Sequence, residues 1–152
     1  ARLTVLAGGK HVVWETNPER RSGALGYEVV DPKEDSRANY RCICDVSGDP
    51  SILDSLIARG APNCDIVLAG FYDQPMCFSF APAFLREARI RVAAQWKPAE
   101  LTAVRDLAES GQLSLDGLIT HRSNPQNAEA AYRTAFEDPT CLKMILDWRN
   151  AQ

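Results

Sequence analysis

Hydrophobic and polar positions along the chain follow two periods in turn. Short apolar or alternating runs predict strands over residues 12–14, 27–30, 40–46, 64–70, 89–96, 113–120 and 142–148. Apolar residues at helical spacing predict the last turns of a helix over residues 1–9, ended by Gly8-Gly9, and a second helix opened at Pro18 and closed across residues 23–26. Further helices are predicted over residues 51–59, where Ile52, Leu53, Leu56 and Ile57 share one flank, and over residues 97–110 and 128–136, with a turn or two over 83–88. Residues 33–39 read as a loop or short exposed helix, residues 60–63 as a helix stop, and residues 71–80 as an aromatic-rich loop. Alternating strands and helices predict the α/β class, with a doubly wound, mostly parallel sheet joined by right-handed crossovers. A chain of 152 residues without repeat, low-complexity tract or linker reads as one domain.

The most informative stretch is residues 11–21, His-Val-Val-Trp-Glu-Thr-Asn-Pro-Glu-Arg-Arg. A buried-strand pattern stops at Glu15, and a cap, an N1 proline and early negative charge follow at once. Ligands of open α/β sheets bind outside the carboxyl ends of strands, where an acidic side chain can accept hydrogen bonds from ribose hydroxyls. Glu15 therefore either holds the ribose of an adenosine or only joins the solvated turn and pairs with Arg20 or Arg21. Gly70, ending the strand over residues 64–70, marks either a close approach of backbone to ligand or a plain strand-end turn.

Composition narrows the function. A formal charge of −3 argues against nucleic acid as a partner, and no apolar run approaches the length of a membrane span, so the chain reads as cytoplasmic. Five cysteines without a Cys-x-x-Cys pair or a histidine at ligand spacing do not make a metal site. Cys42 and Cys44 alternate with Ile43, which places both thiols on one sheet face, read here as buried and inert. Neither His11 nor His121 stands beside a recognisable nucleophile; His11 reads as structural, and His121, after residues 118–120, as a cap or packing residue in preference to a catalytic one. Asp31, Asp45 and Asp116 show no paired spacing, so no catalytic residue is assigned. A helix starting at residue 1 without a cap suggests that something lies upstream.

The strings Asp45-Val46-Ser47-Gly48, Ile66-Val67-Leu68-Ala69-Gly70-Phe71-Tyr72, Gly117-Leu118-Ile119-Thr120-His121-Arg122 and Leu142 to Trp148 arrive in the order found in medium-chain alcohol dehydrogenases. The chain resembles the nucleotide-binding domain of that family. Val13-Trp14-Glu15-Thr16-Asn17-Pro18 and Ala135-Phe136-Glu137-Asp138-Pro139 resemble more closely the branch that acts on a tetrapyrrole. That resemblance implies NAD as cofactor and oxidation of the 3-(1-hydroxyethyl) group of a bacteriochlorophyllide to 3-acetyl. It implies that Glu15 holds the adenosine ribose, that Asn17 and Arg20 border the adenine, and that Val46, Ser47 and Gly48 line the cofactor cleft. Ala69, Gly70 and Phe71 would lie beside the nicotinamide, and Lys143 would touch the pyrophosphate.

Glu15 favours NAD over NADP by charge, with Arg20 and Arg21 acting against it. The chain departs from the family in lacking the Gly-x-Gly-x-x-Gly loop, the first strand, and the amino-terminal domain that carries the family's catalytic residues and, in many members, zinc. It is therefore expected to be the carboxyl-terminal part of a longer enzyme, inactive alone. The competing reading is a non-catalytic α/β module for protein interaction or homodimerisation through Phe71, Tyr72, Phe78, Phe80 or residues 89–96.

Overall fold

The computed structural model describes residues 1–22 and 24–150. In chain order the elements are α1 (Arg2–Leu6), β1 (Val12–Trp14), β2 (Glu28–Val30), β3 (Tyr40–Asp45), α2 (Leu53–Arg59), β4 (Gly60–Leu68), α3 (Phe80–Leu85), β5 (Arg89–Val92), α4 (Pro98–Glu109), β6 (His121–Ser123), α5 (Ala128–Glu137) and β7 (Met144–Leu146). Single 3-10 turns cover Pro18–Arg20, Pro125–Asn127 and Trp148–Asn150. Every strand pair is parallel, as the alternating pattern predicts, but hydrogen bonding joins the strands into three sheets, β1-β2, β3-β4-β5 and β6-β7. Packing divides the chain into two compact units, residues 1–35 with 98–152, and residues 36–97.

The second unit, residues 36–97, holds the larger core. Its middle strand β4 carries three consecutive buried residues, Ile66, Val67 and Leu68, so both faces of that strand are covered. Leu53, Leu56 and Ile57 of α2 are buried, the flank that the spacing predicts. The chain from 60 to 63, read from sequence as a helix stop, is the start of β4 instead. A register shift between Tyr40 and Cys42 and a left-handed Asn63 (φ 62°) accommodate it, with Arg86 donating to the Gly60 carbonyl and accepting from the Asn63 N–H. Cys42 and Cys44 do share a face of β3, but both are exposed, because β3 is an edge strand whose thiol face nothing in this unit covers.

The first unit, residues 1–35 and 98–152, is built around small sheets. Val12, Val13 and Trp14 are half-buried, where sequence predicts a strand covered on both faces. Pro18 opens a single 3-10 turn, capped by the Asn17 side chain accepting from Glu19 N–H at 3.0 Å, in place of the predicted helix. That helix's predicted stop begins at Gly23, which lies outside the described residues. The predicted strand over residues 113–120 is a loop: Ser114 and Asp116 form a side-chain turn, Gly117 takes φ +73°, and Arg2 occupies the carbonyls of both Ser114 and Asp116 at 2.7 Å. The strand begins later, at His121. Asp35, in a segment read as an open loop, is buried and accepts from the Trp14 indole N–H at 2.7 Å. His11 stacks on Tyr27 with ring centroids 5.1 Å apart. Among the described residues no helix is long and apolar enough to cross a membrane.

Candidate functional site

In the second unit the carboxyl ends of β3 and β4 lie side by side, because their last paired residues are Asp45 and Leu68. One further bond, from Ala69 N–H to the Asp45 carbonyl at 2.8 Å, carries the pairing past the strand ends. From there both chains turn, and the turns touch. A methyl group on Gly70 would stand 3.1 Å from Gly48 N and 3.2 Å from both the Val46 carbonyl carbon and the Tyr72 hydroxyl. Gly48 has φ +77°, and a methyl group there would meet the Phe71 carbonyl oxygen at 2.8 Å. Gly48 is therefore required by its left-handed backbone and by the neighbouring turn, and Gly70 is closely approached by the same turn and by the Tyr72 hydroxyl. Val46, Ser47, Gly48, Ala69, Gly70 and Phe71 thus form one rim, with the Phe71 side chain 99% exposed on it.

Sequence reasoning passed over the group that organises this rim. Asp45 is only 7% exposed, and its carboxylate accepts from the Tyr72 hydroxyl at 2.5 Å, the Ser47 hydroxyl at 3.1 Å and the Ser47 N–H at 3.3 Å. A buried carboxylate needs such donors to offset its desolvation. Burial first, and then the bond to Asp45, push the Tyr72 phenol up to about 12. Tyr72 is thereby kept protonated and donating. The signal in the sequence was an acidic residue alternating into an apolar strand, Cys44-Asp45-Val46.

In the first unit Glu15 ends β1 and is half-buried; its N–H bonds the Val30 carbonyl of β2 at 3.0 Å. One carboxylate oxygen accepts from the Asn17 N–H at 2.8 Å. An ionised carboxylate has about four acceptor positions, so a single N–H bond leaves capacity for hydroxyl donors. A diol such as ribose fits these residues. Both arginines of the turn are directed elsewhere than the Glu15 carboxylate: Arg21 donates to the Glu15 and Thr16 carbonyls and bridges to Asp31 at 2.7 Å, and Arg20 donates to the Pro139 carbonyl. Lys143 is exposed just before β7, its carbonyl accepting from Thr120 and His121.

His121 opens β6 and does not follow a strand. Its Nδ1 lies 2.9 Å from the Thr120 hydroxyl, its Nε2 3.8 Å from Asp138, and the Thr120 oxygen in turn receives Leu142 N–H at 3.0 Å. The ring ties strand start to helix end, a packing role. Among the described residues no group of three His, Cys, Asp or Glu side chains is placed to hold a metal ion.

No family model matches the chain. It is 58% identical over 153 residues to the 2-desacetyl-2-hydroxyethyl bacteriochlorophyllide A dehydrogenase of Rhodobacter capsulatus, an alignment covering 100% of this chain and 49% of that protein. The protein of the same name in Cereibacter sphaeroides is 59% identical, over 98% of this chain and 47% of its own length. Along nearly its whole length, then, the chain is similar to these two proteins. It spans about half the length of these curated relatives.

The fold of the chain matches alcohol dehydrogenases of known structure. An alcohol dehydrogenase from Thermus sp. ATN1 gives a TM-score of 0.82 at 18% identity, over 95% of this chain and 46% of that one. L-idonate 5-dehydrogenase from Escherichia coli gives 0.81 at 18% identity, over 94% and 44%. A short-chain alcohol dehydrogenase from Escherichia coli CFT073, solved with NADH, gives 0.78 at 22% identity, over 95% and 47%. The architecture is thus a Rossmann-like α/β fold.

Proposed function

We propose that this chain is the NAD-binding part of an enzyme that oxidises the 3-(1-hydroxyethyl) group of bacteriochlorophyllide a to 3-acetyl. One observation carries the reading: identity of 58% along the whole chain to relatives whose names state a hydroxyethyl bacteriochlorophyllide dehydrogenase. The dehydrogenase fold and the NADH in one structural neighbour support it. In the reaction the carbinol carbon gives up its hydrogen as hydride, the hydroxyl proton leaves to a base, and a ketone results. The oxidised nicotinamide supplies the hydride acceptor when bound.

The residues of this chain bind and orient. In the first unit Glu15 holds the adenosine ribose, Asn17 and Arg20 border the adenine, and Lys143 meets the pyrophosphate. In the second unit Val46, Ser47 and Gly48 line the cleft, and Ala69, Gly70 and Phe71 lie beside the nicotinamide. The ion pair of Arg21 with Asp31 supports NAD over NADP, since that guanidinium already serves a carboxylate. The group that takes the proton, and any zinc, belong to a catalytic domain outside this chain. The enzyme works in the cytoplasm.

The complete protein, given NAD and hydroxyethyl bacteriochlorophyllide, is expected to form NADH and a macrocycle lighter by two hydrogens. Glu15→Ala is expected to raise KM for NAD by about tenfold or more, the loss of charge-assisted hydrogen bonds. Absence of NADH formation overturns the activity, and an unchanged KM removes Glu15 from the site.

A second reading concerns assembly. Among the described residues β5 pairs only with β4, and Val92 at its end (78% exposed) and Trp96 beyond it (64%) are open. Such an edge supports pairing with a second copy. Light scattering on the complete protein is expected to give the mass of a dimer; a strict monomer at high concentration ends this reading.

A further inference from the structure

We propose that Tyr72 is a positioning residue for the dinucleotide, its phenol fastening the loop after β4 to the buried end of β3 so that residues 46–48 and 69–71 keep one cofactor-receiving shape. The inference rests on the NAD reading above and goes beyond it by naming a residue pair that touches neither ribose nor nicotinamide.

Three observations converge. The Tyr72 hydroxyl donates to a carboxylate, Asp45, that is more than nine-tenths buried, and the same hydroxyl lies 3.4 Å from the Asp45 carbonyl. The phenol reaches that point by passing where a side chain at position 70 would stand, 3.2 Å from a methyl group built there, so Gly70 and Tyr72 form one arrangement. Asp45 in turn fixes the other loop, through the N–H and hydroxyl of Ser47, whose hydroxyl oxygen accepts from Asp49 N–H at 3.1 Å.

The chain of bonds therefore runs from Tyr72 through Asp45 and Ser47 to Asp49, spanning both turns of the rim. A rim made of turns has little hydrophobic burial to hold it: Val46, Ser47, Ala69 and Phe71 are all exposed. Its shape is held by this polar network and by the glycine contacts. Loss of the phenol hydroxyl frees the loop from residue 69 to 72 while leaving the ring's packing in place. It also strips a donor from a buried charge, which makes Tyr72 and Asp45 a coupled pair.

The test uses the complete protein and NADH as the probe, with binding followed by fluorescence and thermal unfolding followed in parallel. Tyr72→Phe is expected to raise the Kd for NADH by about tenfold and to raise KM for NAD while kcat at saturating NAD stays within about twofold. Asp45→Asn keeps an oxygen for the phenol and is expected to weaken binding less, and the double variant is expected to bind no more weakly than Tyr72→Phe alone.

A Kd within about twofold of wild type in Tyr72→Phe, with or without a lower melting temperature, overturns the positioning role, as does full additivity in the double variant. Should Tyr72→Phe fail to fold, Asp45→Asn carries the comparison, and an unchanged Kd there overturns it equally. Wild-type protein that binds no NADH overturns the NAD reading itself and the inference with it, an outcome distinct from wild-type binding that the variants leave unaltered.

Discussion

Gly48 shows how much one residue can decide. Its φ of +77° costs any other residue about 1–3 kcal/mol, and a methyl group would press on the Phe71 carbonyl at 2.8 Å. Gly48→Ala is therefore expected to destabilise the protein by at least that amount, read as a lower midpoint in urea, and an unchanged midpoint contradicts the contact. Asp31 is a second case. The Lys33 N–H, and with it the Arg21 guanidinium, hold its carboxyl below the usual range. A depressed carboxyl stabilises the fold above its unfolded value of about 3.9, and that contribution disappears as pH falls through the folded value. The gap in melting temperature between wild type and Asp31→Asn is thus expected to be full at neutral pH and to close below about pH 4. A gap that stays constant with pH removes Asp31 as the cause. The Glu15 carboxylate was legible at this scale because strand end, cap and proline fall together in the sequence. Asp45 was not, because its burial and its bond from Tyr72, 27 positions along the chain, arise only after β3 and β4 pair.

Elements were legible where one local cause suffices. The helix α2 follows from its apolar flank, and Leu56 on that flank is 1% exposed. Leu56→Ala is expected to cost about 2–5 kcal/mol, with chemical denaturation as the readout; a loss below 1 kcal/mol would mean the cavity collapses. The turn at Pro18 was misread as a helix because an asparagine cap and an N1 proline open a 3-10 turn as well as an α-helix. Length is set further along the chain, and here Arg21 turns back to the Glu15 carbonyl at 2.8 Å. Residues 113–120 carry strand-like composition, yet Arg2, more than a hundred positions away, takes the carbonyls a ladder would use. The start of β4 was hidden by Pro62, a residue that reads as a breaker and is tolerated beside a bulge.

At the scale of the whole molecule, parallel pairing throughout and high similarity to dehydrogenase structures agree with the alternating pattern of the chain. The chain spans about half of each curated relative, so function is tested on the complete protein. Ligand binding to the folded state raises stability by about 2.7 kcal/mol when the ligand is a hundredfold above its Kd. NAD is therefore expected to raise the melting temperature of the complete protein, and NADP at equal concentration to raise it less. Equal shifts would remove the discrimination assigned to Glu15.

Taken by itself, the sequence determined the α/β class, the parallel pairing and the glutamate at a strand end, because each follows from neighbours within one or two turns of chain. The tertiary structure alone decided the exposure of Cys42 and Cys44, the burial of Asp35 and Asp45, and the clasp of Tyr72 over Gly70. Burial and hydrogen-bond partners depend on which distant segments come to lie against a residue, and no local period of hydrophobic and polar positions encodes that.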